Sequence, residues 1–188
     1  METQTAFFTR LNAKIDQVLV KVEGLRELTP EQWSWTPNKD TWSIATTLDH
    51  LNKTNGAIMP LYHKAVAELK TKNLQGTADI RFNRFERFAI SIVSPNPPFK
   101  VPVPPVFMPK VSDVDGKEAL QRFLTQHREI KRIMANAAGY DVMRVKIVSP
   151  ASKYIHLRFG TELDALSSHD LYHWLQIEAK RNDPRFPK

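Results

Sequence analysis

Two histidines with helical spacing are the residues of this sequence that could do chemistry together. His169 and His173 lie four residues apart. On an α-helix, four residues make about 400° of rotation and ~6 Å of rise, so both imidazoles leave one face and can bind one metal ion. Six histidines in 188 residues give an expected ~0.2 pairs at this spacing by chance, so the spacing alone is weak evidence.

The position of the pair on its helix is more informative. Both histidines belong to an apolar stripe with steps of three, four and four residues, formed by Leu166, His169, His173 and Ile177. Such a stripe faces the interior, where imidazole nitrogens need partners, and a shared ion supplies one. His50, beside Leu51 on the flank of an earlier apolar stripe, is a third candidate that can reach the interior.

The composition limits the classes of protein. A chain of 188 residues has the usual length of one domain, so we expect a single domain over residues 1–188. Because the chain contains no cysteine, disulfide frameworks, thiolate zinc sites and cysteine nucleophiles are excluded. Any metal must therefore be held by histidine, aspartate or glutamate.

Charge and hydropathy bear on partners and location. No apolar run approaches the ~18 residues of a membrane span, and the N-terminus lacks the features of a signal peptide. Together with the missing cysteines, this predicts a cytoplasmic protein. The net charge of +7 permits an acidic partner, but no motif supports one. We therefore expect neither nucleic acid nor a membrane among the partners.

Apolar residues recur at steps of three and four in four segments, which predicts four amphipathic helices. The first helix covers residues 4–28, and the second runs from a cap at Thr41 or Ser43 across Pro60 to Leu69. The third begins after Ser112 and stops at Gly139. The fourth begins at a capping box of Thr161 and Asp164 and ends near Arg181. Between the second and third helices, seven of the 13 prolines lie in residues 95–109, where no regular helix or central strand fits. The sequence predicts an all-α four-helix bundle with a long Pro-rich crossover between helices 2 and 3.

Two short motifs resemble a known family. The segment Trp42-Ser-Ile-Ala-x-x-Leu-x-His50-Leu51, followed by His169-x-x-x-His173-x-x-Gln176, resembles the DinB/YfiT-like superfamily of metal-dependent bundle proteins. The order and length of the helices agree over nearly the whole chain. The resemblance implies a divalent metal, commonly nickel or zinc, held by His50, His169 and His173.

The resemblance also implies classes of activity. The family includes thiol S-transferases that use low-molecular-weight thiols, a maleylpyruvate isomerase branch and members without an assigned reaction, and its members frequently form homodimers. Two features depart from its pattern. Tyr172 stands where many relatives have arginine, and the crossover is unusually rich in proline.

A site of three neutral histidines with an open position is typical of catalytic rather than structural metals. We therefore expect a metal-dependent hydrolase or thiol S-transferase that acts on a small molecule, with a low-molecular-weight thiol as candidate co-substrate. The alternative is a non-catalytic bundle protein that acts through binding or dimerisation, with or without metal. The ligand N–H groups have three candidate acceptors, Asp49, Asp170 and Glu178, among which the sequence does not choose.

Other motifs have simpler interpretations. The segment His169–His173 differs from the zincin motif H-E-x-x-H by Asp170, and Glu178 is the one acidic or histidine residue close downstream that could be a third ligand. Residues 81–88 interleave Arg and Phe as in nucleic-acid binders, but we interpret them as a helix end or loop with Phe inward and Arg solvated. The P-x-x-P spacing in residues 95–105 is interpreted as crossover rather than as an SH3 ligand.

The remaining histidines and the tryptophans are assigned to structure. His127 lies on the apolar stripe of the third helix, so we predict a core histidine satisfied by a hydrogen bond. His63 and His156 are predicted at the surface or in a loop. The tryptophans near the loop between the first two predicted helices, Trp33, Trp35 and Trp42, are interpreted as packing.

Overall fold

The computed structural model describes residues 2–76, 78–109 and 113–188. Its elements in chain order are α1 (Gln4–Glu23), α2 (Pro30–Ser34), α3 (Ile44–Thr71), α4 (Arg84–Ser91), a 3₁₀ turn (Pro105–Phe107), α5 (Gly116–Ala137), β1 (Lys146–Val148), β2 (His156–Arg158) and α6 (Phe159–Arg181). The four long helices α1, α3, α5 and α6 form the bundle, with α3 packed mainly against α5 and α1 against α6. The predicted all-α four-helix bundle with its long crossover between the second and third bundle helices is confirmed.

Local capping explains where the bundle helices begin. The hydroxyl of Ser43, one of the two predicted caps, accepts a hydrogen bond from the Thr46 amide at the start of α3. Asp115 caps α5. Ser112, after which this helix was predicted to begin, lies outside the described residues. Gly139, with φ 86°, follows the end of α5 in the left-handed conformation that glycine tolerates best.

Three predicted boundaries were wrong. Helix α1 ends at Glu23, although Leu25 and Leu28 beyond it are buried in turns, so the apolar period outlasts the helix. Helix α6 begins at Phe159 without a side-chain cap, and the Thr161 hydroxyl donates to a Glu86 carboxylate oxygen instead of capping. Residues 81–88 were expected as a helix end or loop, and a separate helix, α4, begins within them at Arg84.

The elements between α5 and α6 hold that segment of chain against the bundle. Strands β1 and β2 form an antiparallel hairpin in which Ile147 pairs with Leu157, the two residues that face inward. Space is limited where α6 begins, because a Cβ at Gly160 would lie 2.5 Å from the Met143 sulfur, and that side chain would have to move. The described part of the chain contains no helix whose length and hydrophobicity would suit a bilayer crossing.

The interior of the bundle has three layers. Two apolar clusters, one around Phe7, Tyr62 and Phe159 and the other around Leu48, Phe123 and Trp174, occupy different levels along the helices. A polar layer separates them on α3, α5 and α6. Its members are His50, Asn52, Asn55, His127, His169, Asp170 and His173. Polar side chains at this depth must find partners within the protein, and this layer contains the predicted ligands.

A buried acid in α6 makes the stability of the fold depend on pH. The side chain of Glu162 belongs to a residue that is 7% exposed, and burial raises its pKa to about 7. Because the folded pKa lies above the unfolded value, this group favours folding fully at low pH, and its contribution is lost as the pH rises towards about 7.

Replacing this acid by a neutral isostere removes the cost of ionising it. We predict that Glu162→Gln raises the free energy of unfolding by about 2 kcal/mol at pH 8 and leaves it nearly unchanged at pH 5. Urea unfolding at both pH values measures the difference, with exposed Glu27→Gln as the matched control. A similar gain at both pH values would show that ionisation of Glu162 is not the cause.

Candidate metal centre

The three predicted ligands come together between α3 and α6. His50 follows the Ser43 cap by two turns, and His169 and His173 stand on successive turns of α6. The Nε2 atom of His169 lies 3.3 Å from that of His50 and 3.0 Å from that of His173. The three candidate ligand nitrogens, one from each ring, lie within 4.8 Å of one another. The structure thus shows the predicted convergence, and binding of a metal by these residues stays a prediction.

The outer nitrogens of two rings are held by carbonyl groups. His50 Nδ1 donates to the backbone carbonyl of Phe107 at 2.8 Å, and His173 Nδ1 donates to the side-chain oxygen of Gln176 at 2.9 Å. Carbonyl oxygens only accept hydrogen bonds, so both rings carry their proton on Nδ1. In their neutral forms both rings therefore turn the lone pair of Nε2 towards His169.

This arrangement contains too few protons for its acceptors. A neutral His169 ring offers at most one proton at Nε2, whereas two lone pairs point at that atom from 3.3 and 3.0 Å. At least one buried nitrogen is left without a donor, which costs free energy. A cation at the centre of the three Nε2 atoms would satisfy all of them.

Burial keeps the three rings in the form that binds metals. Burial lowers the pKa of His169 to about 4, with a further contribution from the neighbouring His50. The pKa of His173 lies well below its ordinary value because of burial and of the two adjacent imidazoles. Burial also lowers the pKa of His50, against the opposing effect of the Phe107 carbonyl. At neutral pH the three rings are uncharged, and metal binding requires only that His169 carry its proton on Nδ1.

The spacing of the nitrogens fits a divalent ion. Two nitrogens bonded at ~2.0 to 2.1 Å to one tetrahedral zinc lie roughly 3.3 Å apart. The two measured separations, 3.3 and 3.0 Å, agree with this value. Three protein nitrogens leave one tetrahedral position open, the arrangement of catalytic rather than structural sites.

An aromatic side chain covers two of the rings. The Trp42 ring centroid lies 4.9 Å from that of His50 and 6.3 Å from that of His173, nearly parallel to the latter. Sequence reasoning assigned Trp42 to packing alone, although its place in the His50 motif was a signal. Tyr172, the position that departs from the family pattern, sets its ring edge-on to His173 at 5.0 Å.

The acceptors for the Nδ1–H groups of His50 and His173 are carbonyl oxygens rather than the predicted acids. Asp170 accepts from His127 and Glu178 pairs with Lys21, while Asp49 pairs with Lys53. The Phe107 carbonyl was missed because backbone acceptors leave no mark on side-chain type. Gln176, by contrast, was visible in the motif as the residue three positions after His173.

The pair of His127 and Asp170 occupies the polar layer beside the candidate centre. His127 is completely buried, donates from Nδ1 to the Phe123 carbonyl at 2.9 Å and forms a hydrogen bond from Nε2 to an Asp170 carboxylate oxygen at 2.8 Å. The prediction of a satisfied core histidine is confirmed. The resemblance to the zincin motif, which the sequence did not favour, gains no support, because Asp170 is hydrogen-bonded to His127.

The remaining two histidines lie at the surface, as predicted. His63 is half exposed and lies 3.0 Å from Glu129, and His156 is exposed on β2. Among the described residues, the group that could hold a metal ion consists of His50, His169 and His173.

These features define a class of protein, an all-α bundle with a buried three-histidine centre. A comparison with protein families matched the DinB superfamily over residues 16–177, which include all three histidines and both motifs. The chain belongs to the DinB superfamily, as its motifs predicted. Searches of curated proteins and of solved structures found no match.

Metal uptake tests the assignment directly. We predict that protein purified without a His tag, stripped with a chelator and incubated with Ni²⁺ or Zn²⁺ retains about one ion per chain. His173→Ala should abolish this uptake, because two imidazoles cannot complete the centre, while His63→Ala should not affect it. Elemental analysis after gel filtration measures the ratio. Equal uptake by the His173 variant and the wild type would contradict the assignment.

The hydrogen bond that Gln176 accepts from His173 should increase metal affinity without being essential for binding. Leucine at this position removes the acceptor that orients the His173 ring, so we expect Gln176→Leu to weaken metal binding by about 10- to 100-fold. Competition with a chromophoric chelator measures the dissociation constant. Exposed Gln121→Leu on α5 is the matched control, and an unchanged constant in the Gln176 variant would show that this contact does not orient the ligand.

Proposed function

We propose that this protein is a metal-dependent enzyme that acts on a small molecule through a divalent ion, nickel or zinc, on His50, His169 and His173. One observation supports the proposal most directly. The two rings whose Nδ1 protons go to carbonyl groups direct their Nε2 lone pairs at the third ring. A purely structural polar layer has no use for three acceptors at one point.

The proposed reaction is a hydrolysis or a transfer of a thiol to an electrophilic small molecule. When bound, the ion would supply Lewis acidity, which lowers the pKa of a water or thiol that it contacts. The chain itself supplies orientation and shielding. Phe107 and Gln176 fix the ring planes, and Trp42 limits access of water to His50 and His173.

A buried cation near the centre favours an anionic reactant. Lys180 is 6% exposed and donates to the carbonyl of Gln176 at 3.2 Å, one helical turn from that residue. Burial lowers the pKa of Lys180 to about 8, so the amine is mostly charged at pH 7, and its charge acts on His173. A positive charge at this place would stabilise a thiolate or a carboxylate beside the ion. We therefore rank a low-molecular-weight thiol above other proposed co-substrates.

The decisive experiment compares reconstituted protein with a ligand variant. Ni²⁺- and Zn²⁺-loaded protein is assayed for thiol conjugation to an electrophilic dye with cysteine and with glutathione, and for hydrolysis of activated esters. We expect a rate at least about 100-fold above that of His173→Ala, with His63→Ala equal to the wild type. Lys180→Met should reduce thiol conjugation more than ester hydrolysis.

Equal rates for wild type and His173→Ala with every substrate would reject the enzymatic proposal. The alternative would then stand, a bundle protein that acts through binding or through dimerisation. Homodimers are common in the family that the motifs resemble, and we extend that state to this chain as a proposal. Light scattering of the eluted protein measures the mass.

A further inference from the structure

The helix α4 presents phenylalanine to solvent. The prediction that the Phe side chains of residues 81–88 face inward holds for Phe82, which packs against the core, and is wrong for Phe85 and Phe88. Phe85 is 54% exposed and Phe88 47% exposed. The buried residue of this helix is instead Glu86, which is 3% exposed and forms an ion pair with Arg158. Burial alone would raise the pKa of Glu86, but Arg158, the Asn83 backbone and Thr161 together lower it. The helix is thus anchored by its carboxylate and directs aromatic rings outward.

The order of side chains around α4 separates charge from apolar surface. At 100° per residue, the outward arc runs from Arg87 through Arg84 and Phe88 to Phe85. These four residues are all exposed. The two arginines therefore occupy one side of the exposed face and the two phenylalanines the other, as in helices that lie in a lipid interface.

The apolar side of α4 continues onto the Pro-rich crossover. The rings of Phe88 and Phe99 lie 6.1 Å apart, centroid to centroid, and Phe99 is 53% exposed. The crossover also exposes Val101 (43%), Val106 (49%) and Met108 (45%). Six of the 11 large apolar side chains exposed in the described part of the chain thus fall within residues 85–108. Soluble monomers rarely concentrate exposed apolar residues in this way without a partner.

The exposed charges of the same segment are positive. Within residues 80–109 the sequence has one acidic residue, Glu86, and its charge is buried against Arg158. Arg84, Arg87 and Lys100 are exposed. An apolar surface with a rim of cations is complementary to an anionic lipid bilayer.

We propose that α4 and the crossover form a docking face for anionic membranes. The docking face is built around Phe85, Phe88 and Phe99, with Arg84, Arg87 and Lys100 as its cations. Val101, Val106 and Met108 are further exposed apolar residues of the same crossover, and the proposal includes them. The apolar side chains enter the boundary between headgroups and acyl chains, and the cations contact lipid phosphates. A protein that lies on a membrane surface needs no spanning helix. The absence of a long apolar run, from which no membrane partner was expected, therefore does not exclude binding to a membrane surface.

Two other occupants fit the docking face less well. A second copy placed face to face would bring the exposed cations of both copies into one interface without an exposed acid of this segment to pair with them, because Glu86 is buried against Arg158. Single-stranded nucleic acid would use the phenylalanines for stacking, but Val101, Val106 and Met108 have no ring on which a base stacks. An anionic bilayer uses the aromatic, aliphatic and basic side chains together.

Vesicle sedimentation with the full chain tests the proposal. We expect binding to vesicles that contain phosphatidylserine, weak binding to pure phosphatidylcholine, and a loss of binding at high salt. Phe85→Ser with Phe88→Ser should reduce the partition coefficient at least about tenfold. Arg84→Gln with Arg87→Gln should reduce it about fivefold for each charge removed.

Matched controls separate the face from general properties of the protein. Val20→Ser replaces an apolar side chain that is 74% exposed on α1, and Arg26→Gln with Arg122→Gln removes two exposed charges elsewhere. Both controls should bind like the wild type. Thermal melts followed by circular dichroism verify that every variant is folded.

Four outcomes would overturn the proposal. These are no binding to anionic vesicles by the wild type, equal binding by the two phenylalanine replacements, binding to an oligonucleotide without binding to vesicles, and a dimer that the phenylalanine replacements dissociate in the absence of vesicle binding. The last two would assign the face to nucleic acid or to a second copy.

Discussion

Much of the structure around the three histidines serves to orient their rings, because three imidazole nitrogens converge at one point inside the bundle. Three ring nitrogens, one from each histidine, lie within 4.8 Å of one another. They are tolerated only if their protons are placed elsewhere and the rings cannot turn away. The two apolar clusters on either side of the polar layer hold α3 and α6 together, so that His50 on α3 contacts His169 and His173 on α6. Packing thus keeps the rings in place, and the hydrogen bonds donated by Nδ1 of His50 and His173 fix the tautomers of these two rings.

The Pro-rich crossover has a chemical consequence for this centre. A segment with so many prolines forms few backbone hydrogen bonds of its own, which leaves carbonyl groups free to accept from side chains. Two consecutive carbonyls at its end do so, that of Phe107 from His50 at 2.8 Å and that of Met108 from Lys53 at 2.7 Å. The irregular crossover is therefore part of the support of a ligand, and its departure from the family pattern bears on the site itself.

The sequence was informative wherever a pattern is local. Helical periodicity placed His169 and His173 on one inward stripe, and two candidate caps, Thr41 and Ser43, located the start of the helix that carries His50 to within two residues. Patterns that depend on distant residues were not visible. The Phe107 carbonyl lies 57 residues from His50, and the pairing that turns Glu86 inward joins it to Arg158 across 72 residues. A helix that buries a carboxylate and exposes phenylalanine reverses the usual rule, so periodicity alone assigned its faces wrongly.

The orientation of α4, with Glu86 buried and its phenylalanines exposed, favours a partner for this surface. Burying a charged pair seldom stabilises a fold more than apolar residues of similar volume would. A helix that uses Glu86 as its anchor while its phenylalanines remain in water therefore gains little from this orientation in the isolated chain. The orientation becomes favourable once the exposed rings have an apolar partner. Because the same crossover carries Phe99 at one end and the acceptor for His50 at the other, contacts made at that surface and the geometry of the candidate centre are linked by one continuous segment.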